Sequence, residues 1–299
     1  MHLSFDVLLT KPYRLQPDTW SEAPFFINKY AHHQVYANSL LFDTEAQDEK
    51  GKAAKDFLGL GLEYANYASN ESLKDPGIQQ RISGPLPFAD DEVLGIQAIM
   101  GGDVVLNQKA TKDFFIENAP AYEMLHLAMH GYSDEENHLN SALIFSESEE
   151  EKDHLLRVPD IFALDLSASL VYLSACQTNH ATVKKGEGMS TISRAFAYAG
   201  CPSMVASLWN IPDESSHKIA IAFYKNLKDG QTKDMALRNA KLTYLENTKI
   251  NGALPNLWAQ TILIGDPKPI VKNMDYRKIF LLGIGGMLSF LLFLFIRRK

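Results

Sequence analysis

The sequence predicts an α/β fold: a mostly parallel sheet with helices on both faces. Three observations carry this expectation. Short apolar runs alternate along the chain with helix-length segments. Two of those runs, 124–129 and 170–173, lack the in-out alternation of a half-exposed strand and read as strands buried on both faces. Both lead into a reactive side chain: the first meets His130 and Gly131, the second Ser174, Ala175 and Cys176. Residues at the carboxyl ends of parallel strands gather at the rim of the sheet, where open α/β folds bind their ligands. The separation, 176 − 130 = 46 residues, leaves room for a connection and a crossover helix.

The other elements follow in chain order. Residues 5–9 read as a strand, 25–42 as a strand with a short helix, and 43–55 as a charged loop. His32 and His33 lack the cysteine or acidic partners of a metal site. The run 56–62 reads as a strand whose glycines do not form a phosphate loop, and 66–87 is polar and turn-rich. Asp90, Asp91 and Glu92 open a helix reaching Met100, with acids at its positive end. A strand over 102–106 and a helix over 111–117 precede the His130 strand. A hairpin excursion over 132–145 and a solvated acidic turn at Glu147–Glu151 come next. A helix over 158–164 leads into the Cys176 strand, and 179–188 reads as a loop. The remaining elements are a helix over 189–199 closed by Gly200, a strand over 203–209, a helix opened by Pro212, Asp213 and Glu214, a helix over 232–246 with Thr232 as N-cap, and a strand over 258–264.

Composition narrows the function. The chain has 299 residues and a net charge of −7, with no basic stripe outside its extreme C-terminus. That argues against nucleic acid as a partner. Two cysteines imply no disulfide framework and suit a reducing compartment. The N-terminus lacks a secretory signal pattern. Residues 279–296 are eighteen uncharged, mainly apolar positions flanked by Arg277 and Lys278 and by Arg297, Arg298 and Lys299. As a helix they rise roughly 27 Å, close to the hydrocarbon thickness of a bilayer. The expected layout is an N-terminal extension over 1–55, a catalytic body over 56–272 facing the cytoplasm, and a single-pass anchor over 277–299.

A thiol is nucleophilic as thiolate, and a neighbouring imidazole can take its proton. Cys176 and His130 are therefore the candidate nucleophile and base. The backbone N–H groups of Gly131 and Cys176 are candidates for an oxyanion hole. No third acid is assignable; a dyad can work without one, with a backbone carbonyl orienting the imidazole. Cys201, between Gly200 and Pro202, reads as structural.

The run 170–178, the Gly186-Glu187-Gly188 triplet, Arg194-Ala195-Phe196, Ala199-Gly200, Ser207-Leu208-Trp209 and Asp213 resemble the CHAT family, caspase-like cysteine peptidases related to separase. Matches at 86–92, 125–131, 141–143, 223–224 and 258–265 extend the likeness over about residues 56–267. The resemblance implies a caspase-like three-layer α/β/α sandwich and a protein substrate cleaved at few sites. Cys176 would be the nucleophile, His130 its base, and Ser174, Trp209 and Asp213 would meet the substrate. It implies no cofactor and no metal. For bacterial members it further implies a role in defence, with a pore-forming gasdermin as substrate and an upstream activator subunit in place of the tetratricopeptide repeats that often precede such domains. The sequence after Trp209 carries fewer acids than its separase counterpart. The alternative is a non-catalytic adaptor of the same fold that docks partners at the membrane.

Overall fold

The computed structural model describes residues 4–11, 23–35, 53–64, 84–132, 134, 137–147, 153–174, 191–207, 212–248 and 253–270. A six-stranded sheet is built from β1 (Lys55–Gly61), β2 (Asp103–Leu106), β3 (Tyr122–Ala128), β7 (Leu170–Leu173), β8 (Ser203–Ser207) and β9 (Thr261–Gly265). Its order is β2-β1-β3-β7-β8-β9. Every neighbouring pair is parallel except β8 with β9. A separate antiparallel sheet of three strands, β4 (Gly131–Tyr132), β5 (Ala142–Ile144) and β6 (Leu155–Arg157), branches off directly after β3. This is the expected excursion, with β6 added as a third strand.

Six α-helices belong to the described residues: α1 (Ala89–Met100), α2 (Lys112–Asn118), α3 (Val158–Phe162), α4 (Thr191–Tyr198), α5 (Asp213–Lys228) and α6 (Lys233–Glu246). They divide between the two faces of the sheet, as strand alternation requires. Phe57, Met124, Tyr172, Val205 and Leu263 point to one face and pack on Ile96 of α1, Ile219 and Phe223 of α5 and Ala240 of α6. Leu58, Leu125, Val171 and Met204 point to the other and pack on Phe115 of α2, Ile161 of α3 and Phe196 of α4. Each fully buried side chain of this size contributes about 1.5–3 kcal/mol. A helix–sheet–helix sandwich results.

Two glycines in β1 explain how closely α1 rides on the sheet. A Cβ at Gly59 would stand 3.1 Å from Val93 Cβ, and one at Gly61 3.0 Å from the Ala89 carbonyl oxygen. The absent side chains are the space that α1 occupies.

Some local expectations are corrected. Residues 5–9 form a 3₁₀ turn (Phe5–Val7) and a single bridge from Leu9 to Phe25 in place of a strand. The 25–42 strand and helix reduce, over the described part, to the 3₁₀ turn Phe26–Asn28 and isolated bridges. The segment is held by the body instead of by its own pairing. Lys241 forms a buried ion pair with Asp6, which also bonds His32 at 3.0 Å, and Gln34 pairs beside Ile264 at the sheet edge. Thr232 precedes α6 with extended backbone but its side chain makes no capping bond. Thr111 does cap α2, accepting from Phe114 N–H.

Among the described residues no helix is long and apolar enough to cross a membrane. The 279–296 run lies outside them, as do the 179–188 loop and most of the acidic turn.

Candidate active site

Parallel pairing sets β3 beside β7, with Leu127 opposite Leu173. Ser174 N–H extends the ladder by donating to Leu127 O at 3.0 Å. The chain leaves β3 through Met129 and reaches His130, 1% exposed, at the turn into β4.

The register of β4 on β5 pairs Gly131 with Leu143 and Tyr132 with Ala142, so His130 stands opposite Ile144. Ile144 N–H donates to His130 O at 2.9 Å. The reciprocal bond is replaced by a phenol. His130 N–H donates to Tyr64 Oη at 3.1 Å, and Tyr64 O–H donates to Ile144 O at 2.5 Å. Tyr64 follows β1 in a left-handed conformation, φ 53°, and its ring tilts against the imidazole at 4.6 Å between centroids. In an antiparallel ladder hydrogen-bonded and non-hydrogen-bonded pairs alternate. Gly131 with Leu143 is therefore a non-hydrogen-bonded pair, and Gly131 N–H points away from β5. That direction suits an oxyanion donor.

The imidazole is oriented by a backbone carbonyl. His130 Nε2 lies 2.7 Å from Gly84 O. A carbonyl only accepts, so Nε2 carries the hydrogen and Nδ1 keeps its lone pair. Nδ1 is buried and has no hydrogen-bond partner among the described residues. Burial pushes the imidazolium pKa down to about 4, against the opposing pull of the Gly84 carbonyl. At neutral pH His130 is thus an uncharged imidazole whose Nδ1 lone pair has no partner among the described residues.

Ser174 is buried, and its hydroxyl lies 2.9 Å from that of Ser216 on α5. Asp213 is the first residue of α5, and its Oδ2 accepts from Phe88 N–H at 2.6 Å. Burial is the main cause that raises the Asp213 carboxyl to about 6; Glu92 and Glu63 add to it, while the Phe88 N–H and His217 oppose it. Cys176 and Trp209 lie outside the described residues. Cys201 is buried and donates to Ser203 O at 3.1 Å, so its thiol serves the turn before β8. Among the described residues no group of three or more His, Cys, Asp or Glu side chains converges as a metal site would need.

Tyr64, Gly84 and the strap around them escaped the sequence reading. The dipeptides Ser83-Gly84 and Gly84-Pro85 mark a turn, yet nothing local says that its carbonyl faces a histidine 46 residues ahead. Tyr64 carries no periodic signal, because its partner atoms belong to β4 and β5.

The family model for the CHAT domain matches residues 4–266. Tetratricopeptide repeat protein 28 of Mus musculus and of Homo sapiens is each 25% identical over 228 residues, 66% of this chain. The chain spans only 9% of the length of these relatives. Among solved structures, the Saccharomyces cerevisiae separase–securin complex aligns over 84% of this chain and 15% of that one, with TM-score 0.48 and 16% identity. The Arg-specific cysteine proteinase gingipain R, known from Porphyromonas gingivalis, aligns over 78% of this chain and 52% of that one, with TM-score 0.46 and 11% identity. With the family model covering nearly the whole described body, the chain belongs to the CHAT-domain family.

Proposed function

We propose that this protein is a caspase-like cysteine endopeptidase with Cys176 as nucleophile and His130 as base. The observation that carries the reading is the state of His130: Nε2 is committed to the Gly84 carbonyl, and Nδ1 is buried, without a partner among the described residues and unprotonated at neutral pH. His130 sits where β3 turns into β4 and holds a lone pair in reserve at Nδ1. The sequence places Cys176 three residues beyond Leu173 and His130 three beyond Leu127, and those leucines are paired.

In this mechanism the Cys176 thiol gives its proton to His130 Nδ1, and the thiolate attacks the scissile carbonyl carbon. The oxygen's developing charge accepts from the N–H groups of Gly131 and Cys176. The C–N bond breaks as His130 Nδ1–H protonates the leaving amine, leaving a thioester. Water, deprotonated by His130, then hydrolyses the thioester and restores the thiol. In this reading the side chains of Ser174, Trp209 and Asp213 meet the substrate.

The same reading takes 279–296 as a single-pass anchor that keeps the catalytic body at the cytoplasmic face of the cell membrane. It takes as substrate a partner protein cut at few sites, a gasdermin in bacterial defence, with an upstream subunit as activator. The direct test is mass-spectrometric profiling of peptide-library cleavage by the full chain, alongside C176A and H130Q. Cleavage that disappears in both variants is the expected result. A C176A protein that still cleaves at the same bonds removes the thiol from the mechanism.

A further inference from the structure

Residues 84–88 form a short strap across the mouth of the sheet. Its first residue holds the histidine: Gly84 O meets His130 Nε2 at 2.7 Å. Its middle is tied to the end of β1, Leu86 N–H donating to Glu63 O at 2.8 Å. Its last residue, Phe88, is the N-cap of α1. An N-cap backbone leaves its own N–H without an intrahelical partner. Here that N–H donates 2.6 Å to Asp213 Oδ2, in the first turn of α5. The contact joins positions 125 residues apart. Close by, the Phe88 and His217 rings stand 5.7 Å apart, so α5 grips the strap twice.

We propose that Asp213 is a positioning residue for His130: by accepting the Phe88 N–H it fixes the strap, and the strap's Gly84 carbonyl fixes the imidazole tautomer that leaves Nδ1 as acceptor. The inference rests on the peptidase reading only for its effect on thiol reactivity; its effect on the imidazole stands alone. It gives a residue at the substrate border a task toward the base. Without the Asp213 bond the Phe88 N–H has no acceptor in α1, and the strap keeps only the Leu86–Glu63 bond and a ring contact to α5, so the Gly84 carbonyl is held less firmly on Nε2. With Nε2 released, the proton can move to Nδ1, and that nitrogen can then no longer accept from a thiol.

The chemistry of the contact supplies the discriminating variants. An asparagine keeps an acceptor oxygen of the same reach but no charge; an alanine keeps neither. The experiment uses the full chain and two readouts. The first is ring-nitrogen NMR of His130, assigned by comparison with H130Q. The second is peptide-resolved alkylation of Cys176 by iodoacetamide at neutral pH. In the parent, Nε2 should carry the hydrogen. D213A should raise the Nδ1–H tautomer to a visible share and slow alkylation at least tenfold, and D213N should restore both to within threefold of the parent. Thermal melts of the three proteins confirm that each is folded. Parental His130 ring shifts in folded D213A would overturn the proposal. So would a D213N protein as impaired as D213A, since charge and not the hydrogen bond would then be the active feature. If alkylation of the parent is indifferent to H130Q, the peptidase reading fails, while the ring-nitrogen result still judges the strap.

Discussion

Glu92 Oε1 lies 2.7 Å from His126 Nε2, with both side chains sealed from solvent. The other imidazole nitrogen is 3.2 Å from Tyr224 Oη, and the ring stacks on Tyr172 at 4.8 Å. His126 thus spends both nitrogens on packing, four residues before His130, which spends one. Two histidines, one inside β3 and one just past its end, are separated in role by what each nitrogen meets.

The Glu92–His126 pair ties α1 to the middle of the sheet, and breaking it strands a buried polar group. E92A should cost about 1–3 kcal/mol, the usual range for a buried polar group left without its partner. E92Q, which keeps an oxygen near Nε2, should cost less than half of that. Urea denaturation of the three proteins at pH 7 checks the ranking, and equal midpoints for E92A and the parent would dismiss the pair as a structural tie.

His130 gives stability a pH dependence of definite sign. Its folded pKa, about 4, lies below the ordinary 6.5 because burial penalises the charged ring. The unfolded chain therefore binds the proton first as pH falls. The contribution is complete above pH 6.5 and is lost as pH drops through 4. From pH 7.5 to 4.5 the parent should lose about 2 kcal/mol more than H130Q does. Chemical denaturation of both proteins at the two pH values measures the difference. A parallel loss in both would mean that His130 titrates normally.

Asp213 acts with the opposite sign. Its carboxyl is raised to about 6, mainly by burial, above the ordinary 3.8. The folded state binds the proton more tightly, so this group's contribution is fully present below pH 3.8 and is lost as pH rises through 6. D213N removes that charge penalty and keeps the acceptor for Phe88 N–H. It should stabilise the protein by about 1 kcal/mol at pH 7.5, a figure discounted for partial exposure, and by almost nothing at pH 4. That corresponds to about 2 °C in melting temperature for a chain this long. A melt series across this range tests it.

Much of the fold could be read from residue pattern, because it rests on local periodicity. The unbroken apolar character of Leu170–Leu173 and of Met124, Leu125 and Leu127 marks strands that the sheet buries on both faces. The acids Asp90, Asp91 and Glu92 lie in the first turn of α1, as their place in sequence implies. The strand expected at 5–9 reduces to a 3₁₀ turn and one bridge, with Leu8 and Leu9 exposed, so the apolar run there gains no burial from a sheet. At the site the pattern gives His130 and Gly131 but not what surrounds them. Gly84 meets the imidazole with its backbone carbonyl, and the side chains of Tyr64 and Asp213 accept from the backbone N–H groups of His130 and Phe88; a carbonyl or an N–H has no residue type to recognise. The expectation that a backbone carbonyl orients the imidazole came from the missing third acid; Gly84 as its source came from the fold alone.

Gly84 adopts φ 87°, and a Cβ there would meet nothing within 4 Å. The cost of a side chain is then conformational and not steric, about 1–2 kcal/mol for a residue held in the left-handed region. G84A can relieve that strain by turning the peptide, which carries the carbonyl away from His130 Nε2. Global stability should fall by no more than about 1–2 kcal/mol, whereas Cys176 alkylation should fall tenfold or more. G84N, whose side chain tolerates positive φ, should recover most of the rate. The comparison reads the carbonyl's direction and not the size of the residue.

Tyr64 tests the other side of the same imidazole. Its hydroxyl stands between His130 N–H and Ile144 C=O, where a ladder bond would otherwise close. Y64F leaves those two groups with a choice. If they stay apart, a buried donor and acceptor go unpaired, at about 1–3 kcal/mol each. If they close on each other, β4 is drawn toward β5 and His130 moves with it, away from Gly84. Either route weakens the site, but hydrogen exchange separates them. An unpaired His130 amide exchanges faster than in the parent, and one bonded directly to Ile144 remains protected. Cys176 alkylation should drop in both cases, with the phenylalanine ring still packed on the imidazole. Y64F with parental exchange and parental alkylation would show that the hydroxyl bridge has no part in holding His130.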